Sequence, residues 1–194
     1  MLMEAMKDRD SQYFLHGLIH IDDAYLGGEL NGGKAGRGSE NKVPFVVALE
    51  LNDKNQPIHI KLNQVSGFTS DAIEAWAQEY FASGSVVFSD GLACFRAVAA
   101  AGCDHVPDVI GGRKLKDVPL FQWLNTIIGN VKTALSGTHH AFNFKKYGDR
   151  YLAEMAYRFN RRFHLKGLLH RLLIAGIGCK PKPERLLRSA ELCC

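Results

Sequence analysis

The chain has 194 residues, which at roughly 150 residues per domain is one large domain or one domain with an appendage. Its hydrophobic content of 46% and charged content of 23% exclude a disordered or collagen-like chain. No apolar run approaches the ~20 residues that cross a bilayer, and the charged N-terminus lacks the apolar core of a secretory signal. The five cysteines form no Cys-x-x-Cys pair, which predicts a reducing, cytoplasmic setting without structural zinc.

Charge is divided unevenly along the chain. Residues 1–112 contain 8 Lys and Arg against 15 Asp and Glu, a net charge of −7, whereas residues 113–194 contain 16 against 5, a net charge of +11. An acidic half followed by a basic half is typical of a protein that binds a polyanion beside a carboxylate site, and nucleic acid with a divalent metal satisfies both. Ordinary variation of charge along the chain is the alternative interpretation.

The first half of the chain predicts an antiparallel three-stranded meander and a helix. Apolar alternation and turn residues place the three strands and the helix, in chain order, at about residues 15–26, 45–51, 57–64 and 71–82. The first strand is predicted to end in the pair Asp22–Asp23, and a glycine-rich loop over residues 27–42 follows it. Thr69 or Ser70 is the predicted cap of the helix.

The second half predicts two more strands and several helices. The strands lie near residues 85–89 and 105–110 with a short helix at 92–101 between them, and helices follow at about 117–135, 144–163 and 168–177. Asp117 is the predicted cap of the first long helix and Gly137 its stop, after a basic loop over residues 111–116. We therefore predict an α/β fold with a mixed five-stranded sheet flanked by helices. The predicted divisions are an N-terminal segment (1–14), a catalytic domain (15–165) and a C-terminal helix and tail (166–194).

Two acidic positions follow predicted strands, at the edge of the sheet where ligands commonly bind. Asp22–Asp23 and Asp90 follow strands that we expect to be neighbours, and carboxylates at such strand ends converge on one edge of the sheet. Oxygen ligands suit Mg²⁺ or Mn²⁺, and two such ions can activate a nucleophile and stabilise a leaving oxygen in phosphodiester cleavage. The alternative is that each Asp caps a turn, and alternation does not decide between Asp22 and Asp23 as the ligand.

The two long helices add candidates of a different kind. Asn125 and Lys132 are seven residues apart, so they lie on one helix face, where the amide oxygen could bind a metal and the lysine a phosphate. An ordinary solvated face is the alternative. In residues 144–163 aromatic side chains alternate with six cations, and the aromatic stripe is more typical of a core than of a base-stacking platform. The cations would repel one another without an anionic partner, which favours DNA.

Five short motifs carry a resemblance to a known family. In chain order they are HIDDAYLGG (20–28), SDG (89–91), WLNTIIGNVK (123–132), GTHH (137–140) and RFNRR (158–162). Together they resemble the catalytic domain of ISXO-like insertion-sequence transposases, a bacterial group within the DDE superfamily. The resemblance extends over about residues 14–165, and His139 departs from it by standing where an aromatic residue is usual.

The resemblance implies an RNase H-like fold and an Asp-Asp-Asn site. Asp22, Asp90 and Asn125 match the metal ligands for two Mg²⁺ or Mn²⁺ ions, with Lys132 as the following catalytic, DNA-contacting lysine; whether Asp23 shares in metal binding stays open. The resemblance also implies that four further residues contact DNA, namely His140, Arg158, Arg161 and Arg162.

The implied activity is metal-dependent hydrolysis of phosphodiester bonds at insertion-sequence ends, followed by strand transfer. The implied partners are double-stranded DNA, as transposon ends and target, and further copies of the chain on that DNA, with no membrane. Family members usually carry an N-terminal zinc ribbon or helix-turn-helix region. This chain begins about twenty residues before Asp22, so the resemblance implies an N-terminally truncated copy. The alternatives are a general RNase H-like nuclease and a non-catalytic remnant that binds DNA or dimerises.

Overall fold

A five-stranded mixed sheet flanked by helices forms the centre of the molecule. The computed structural model describes residues 2–27, 42–108, 121–139 and 143–189. The strands are β1 (Leu18–Leu26), β2 (Val43–Leu51), β3 (Pro57–Gln64), β4 (Val86–Ser89) and β5 (Asp104–Pro107). The α-helices are α1 (Leu2–Ser11), α2 (Ser70–Tyr80), α3 (Gln122–Thr138), α4 (Phe144–Phe159), α5 (Leu168–Gly178) and α6 (Glu184–Ser189). The predicted fold class is confirmed.

The strand order is β3-β2-β1-β4-β5, so β1 lies at the centre of the sheet. It pairs antiparallel with β2, which pairs antiparallel with β3, and it pairs parallel with β4, which pairs parallel with β5. A tight turn joins β2 to β3: the side chain of Asn52 accepts hydrogen bonds from the backbone N–H groups of Lys54 and Gln56. The parallel pairs instead require crossovers, which α2 and the 3₁₀ helix Ala93–Ala101 supply.

Apolar side chains fill the space on both faces of the sheet. On one face, Ile19 and Ile21 of β1 pack with α2 and the 3₁₀ helix. On the other face, Ala24 and Leu26 pack with α3 and α4. Successive residues of a strand point to opposite faces, so Asp22 belongs to the face that α3 covers.

Several predicted boundaries change in the structure. The prediction that the first strand ends in the acidic pair is wrong, because β1 continues to Leu26 along β2. The predicted helix over residues 144–163 ends at Phe159, and α3 continues through Gly137 to Thr138. Most of the glycine-rich loop, the basic loop over 111–116 and the Asp117 cap lie outside the described residues.

The N-terminal helix packs against the C-terminal half of the chain. Helix α1 lies on α4 and α5 and buries Ala5. The predicted segment of residues 1–14 therefore contacts both of the divisions that follow it.

Candidate metal site and DNA-binding residues

The register of β1 and β4 brings two aspartates together. Parallel pairing of the two strands stops at Ile21 and Ser89, and the next residues are Asp22 and Asp90. Beyond this point β1 continues against β2, whereas the chain leaves β4 through Gly91, whose φ is 90°. The carboxylates therefore stand where the sheet opens between two neighbouring strands.

A third carboxylate joins them. Oxygen atoms of Asp22, Asp23 and Asp90 lie within 4.8 Å of one another, and all three residues are partly exposed. The backbone N–H of Asp23 donates a 2.8 Å hydrogen bond to Oδ1 of Asp22, and the backbone N–H of Leu92 donates a 3.1 Å hydrogen bond to Oδ1 of Asp90. Backbone N–H groups close to them in sequence therefore orient the carboxylates of Asp22 and Asp90.

The cluster is electrostatically unfavourable as it stands. Burial, followed by the negative charge of Asp90, raises the pKa of Asp22 to about 7, and the charge of Asp23 adds to the effect. The hydrogen bond from Asp23 and the positive charge of Lys132 act in the opposite direction. A divalent cation would relieve this repulsion, and a group of carboxylate oxygens is the donor set that Mg²⁺ and Mn²⁺ prefer. The residues present therefore fit a metal site.

Helix α3 supplies the lysine of this site. Lys132 is exposed on α3, and its positive charge acts against the rise in the pKa of Asp22. Asn125 lies on the same face two turns earlier and is also exposed. Its amide nitrogen donates a 3.1 Å hydrogen bond to the carbonyl of Phe121, so its carbonyl oxygen is the atom left to face a ligand. The role of Asn125 as a third ligand stays a prediction.

A serine that the sequence reasoning missed positions Asp90. Ser89 is fully buried, its Oγ lies 2.9 Å from Nε2 of His105, and it accepts a 3.2 Å hydrogen bond from the backbone N–H of Gly91. These contacts fix the chain on both sides of Asp90. The Ser-Asp-Gly motif was the available signal, although the sequence alone does not place His105 opposite it.

An open cleft lies between β1 and α3, with Lys132 in its lining. Its volume is about 430 Å³, and it extends between the end of β1 and the C-terminal half of α3. Lys132, Ser136 and His139 line it at successive turns of the helix, together with Leu26 of β1 and the following Gly27. A DNA strand bound in this cleft would contact the polar side chains of Lys132, Ser136 and His139.

The arginines of the RFNRR motif have internal partners. Arg161 forms a 2.7 Å ion pair with Asp10 and donates a 3.0 Å hydrogen bond to the carbonyl of Tyr157. Arg162 donates hydrogen bonds to the carbonyls of Pro57, Ile58 and Phe159. These contacts account for both side chains without DNA, and their predicted role in DNA binding stays a prediction.

Arg158, another predicted DNA contact, is exposed. Arg158 is 63% exposed in its side chain and makes a 3.6 Å ion pair with Glu154, one turn before it on α4. It is therefore available to an external anion. His140 lies outside the described residues.

The motif also closes the edge of the sheet. Asn160 accepts a 2.8 Å hydrogen bond from the backbone N–H of Ile60 and donates a 3.1 Å hydrogen bond to its carbonyl. It thus occupies a position on β3 that a further strand would occupy. Helix α4 ends at Phe159, just before Asn160 and earlier than the aromatic spacing predicted.

Two of the six cations in residues 144–163, Arg150 and Arg161, pair with carboxylates of α1. Glu4 pairs with Arg150 and, at 2.8 Å, with Lys182, while Asp10 pairs with Arg161. The interpretation that the α4 cations require DNA to relieve their repulsion is therefore wrong for these residues, because carboxylates of the same chain relieve it.

Comparison with known proteins identifies the family. Residues 14–160, well over half of the chain, match the family described as the ISXO2-like transposase domain. A comparison with curated proteins gives no significant match. Solved structures that resemble the chain include the Mos1 mariner paired-end complex with Mn (12% identity, TM-score 0.32) and the Mos1 transposase paired-end complex with the left transposon end (12% identity, TM-score 0.30).

Each of these two alignments covers 88% of this chain and 61% of the solved chain, so this chain spans less than two thirds of their length. Among the described helices, none has the length and hydropathy needed to cross a membrane. By its family match, the chain belongs to the ISXO2-like transposase domain family.

Proposed function

We propose that this chain is the catalytic domain of a DDE-type transposase, which hydrolyses phosphodiester bonds at insertion-sequence ends and joins the freed 3′-hydroxyl to target DNA. The observation that carries the proposal is the convergence of Asp22, Asp23 and Asp90 at the point where β1 and β4 separate. Membership in the transposase family supplies the reaction class.

In this proposal Asp22 and Asp90 are the principal metal ligands, and Asn125 is the third. Two Mg²⁺ or Mn²⁺ ions held there would activate water and stabilise the leaving 3′-oxygen. Burial and the neighbouring charges of Asp90 and Asp23 raise the pKa of Asp22, and a bound cation would offset this cost, which supports metal binding. Asp23 lies close enough to contribute an oxygen.

Lys132 and the cleft beside it position the DNA backbone. The lysine is exposed on α3 and directs its charge toward Asp22, so a phosphate near the carboxylates would lie within its field. Arg158 is the exposed cation of the RFNRR motif and adds a contact farther along the backbone. We keep Arg161, Arg162 and His140 as predicted contacts, with Arg161 and Arg162 also holding the fold together.

The test is nicking of supercoiled plasmid in Mg²⁺ or Mn²⁺. We expect the intact chain to nick DNA and both Asp22→Ala and Asp90→Ala to lose at least about a hundredfold in rate, as loss of a metal ligand implies. Asp53→Ala, which removes an exposed carboxylate in the β2–β3 turn, is the matched control and should nick normally. Full activity in Asp22→Ala would overturn the proposed site.

Joining separates a transposase from a general nuclease. An oligonucleotide duplex with a free 3′-hydroxyl should become attached to plasmid DNA in a metal-dependent reaction that Asp90→Ala abolishes. Cleavage without attachment would support the nuclease. DNA binding without metal-dependent cleavage would support the non-catalytic remnant.

A further inference from the structure

The outer face of α5 and the residues just before this helix carry an apolar stripe that points to solvent. Its inner face packs against α1 and buries Ala175. The stripe consists of large side chains that are between 55% and 86% exposed, namely Phe163, Leu165, Leu169, Leu173, Ile174 and Ile177. We refer to these six residues as the α5 stripe.

The size of the stripe is unusual for a free surface. Six side chains of this size and exposure leave on the order of 600 Å² of apolar surface open, the upper end of the largest patch on a typical monomer. A standard interface buries about 800 Å² on each partner, of which the apolar core is the greater part. The stripe and its polar margin are therefore large enough to form one side of a stable interface.

The two ends of the stripe differ in shape. At its N-terminal end lies a groove of about 460 Å³, lined by residues that include Phe163, Leu165 and Arg171. At its C-terminal end Ile177 is the most exposed apolar side chain of the stripe, at 86%. Within α5, Leu169 and Ile177 lie about 12 Å apart along the axis, at roughly 1.5 Å per helical residue, and the groove lies just before Leu169. An identical helix that runs in the opposite direction would place each Ile177 at the groove of the other.

We propose that the α5 stripes of two copies of this chain pack antiparallel about a two-fold axis and form a dimer. A two-fold contact of this kind uses the same surface on both partners and closes on itself, so it forms a dimer rather than a filament. Ile177 of each copy occupies the groove at Phe163 and Leu165 of the other.

The charges around the stripe predict how the dimer responds to salt. Residues 163–178 contain Lys166 and Arg171 but no Asp or Glu. Two copies therefore bring like charges together at the rim of the interface, where salt screens them. The dimer should become tighter as the salt concentration rises. A partner with acidic flanks would show the opposite dependence.

The test is sedimentation equilibrium of the chain at about 1–100 μM without DNA or metal. The intact chain should reach twice the monomer mass, with tighter association between about 50 and 500 mM salt. Ile177→Lys should weaken association at least about tenfold, and Ile177→Glu should weaken it less, because antiparallel packing sets residue 177 near Lys166 and Arg171 of the other copy. Trp123→Lys, which alters an exposed aromatic on α3, is the control and should dimerise normally.

Each other outcome counts against the proposal. A monomer at every concentration would mean that another occupant covers the stripe. A dimer that neither Ile177 variant weakens would place the interface elsewhere, and equal effects of Lys and Glu would overturn the antiparallel arrangement. Since the measurement uses neither DNA nor metal, its failure is distinct from failure of the proposed transposase activity.

Discussion

Two groups of carboxylates in the molecule have opposite surroundings. Where the pairing of β1 and β4 stops, the carboxylates lie next to one another, whereas each carboxylate of α1 forms an ion pair with a cation. In the first region burial and the charge of Asp90 raise the pKa of Asp22, and the charge of Lys132 offsets this in part. In the second region Arg161 holds Asp10 at 2.7 Å, and Lys182 bridges Glu4 and Asp8.

This difference distinguishes charged residues that stabilise the fold from charged residues that are suited to bind a ligand. A matched, partly buried ion pair gains from both members and loses strongly when one is removed. A cluster of like charges costs stability and persists where a ligand of opposite charge compensates it. Four substitutions test this division, beginning with the largest expected effect.

Arg161→Ala should lower the free energy of unfolding by about 3 kcal/mol, because it leaves the partly buried carboxylate of Asp10 without its ion pair. It also removes the guanidinium that stacks 3.4 Å from the ring of Tyr157. Urea denaturation at pH 7 measures the change. Unchanged stability together with weaker DNA binding would assign this arginine to DNA instead.

Asn160→Ala should cost about 2 kcal/mol, because both backbone groups of Ile60 lose their partner at the edge of the sheet. Urea denaturation applies again, and hydrogen exchange at the Ile60 amide should become faster. Slow exchange at that amide in the variant would contradict the assignment of Asn160 to the strand edge.

Lys132→Ala should slow plasmid nicking about tenfold and leave stability nearly unchanged, because this lysine is exposed and acts on Asp22 and on phosphate. Lys132→Arg should keep part of the rate, since it preserves the charge. Lys54→Ala, in the exposed β2–β3 turn, is the control. Normal nicking by Lys132→Ala would remove the lysine from the site.

Arg158→Ala should have the smallest effect, below about 0.5 kcal/mol on stability, because its pair with Glu154 is exposed. If Arg158 contacts DNA, the slope of log affinity against log salt should fall by about one. An unchanged slope would mean that Arg158 does not contact DNA and pairs only with Glu154 on the surface of α4.

The sequence predicted the sheet and the positions of its acidic residues well, for a physical reason. Strand alternation and turn residues are local signals, and they located β2, β3 and β4 within about two residues. The proximity of Asp22 and Asp90 followed because the two positions mark the same point on neighbouring strands. The role of Asp23 could not be predicted. Alternation assigns a residue to one face of its own strand, but it does not give the distance to a carboxylate on another strand.

The partners of the basic residues could not be predicted in this way. The contact between Asp10 and Arg161 joins positions 151 residues apart, and nothing in either local sequence specifies it. The same holds for Asn160, whose side chain replaces a strand at the edge of β3. The cations of residues 144–163 therefore suggested DNA binding from the sequence. In the structure, Arg150 and Arg161 are paired with carboxylates of α1.

The most direct measurement of the central claim is the thermal unfolding of the intact chain and of Asp22→Asn, in chelator and in Mg²⁺ or Mn²⁺. In chelator the pKa of Asp22 is about 7 in the fold against 3.8 ordinarily, so the folded state holds the proton more tightly and loses stability as pH rises from about 4 to 7.

Asp22→Asn should therefore be the more stable protein at pH 7 without metal, by about 4 kcal/mol, and the advantage should shrink toward pH 4. Metal should raise the melting temperature of the intact chain and leave that of the variant unchanged. A melting temperature of the intact chain that does not respond to either cation would contradict the account.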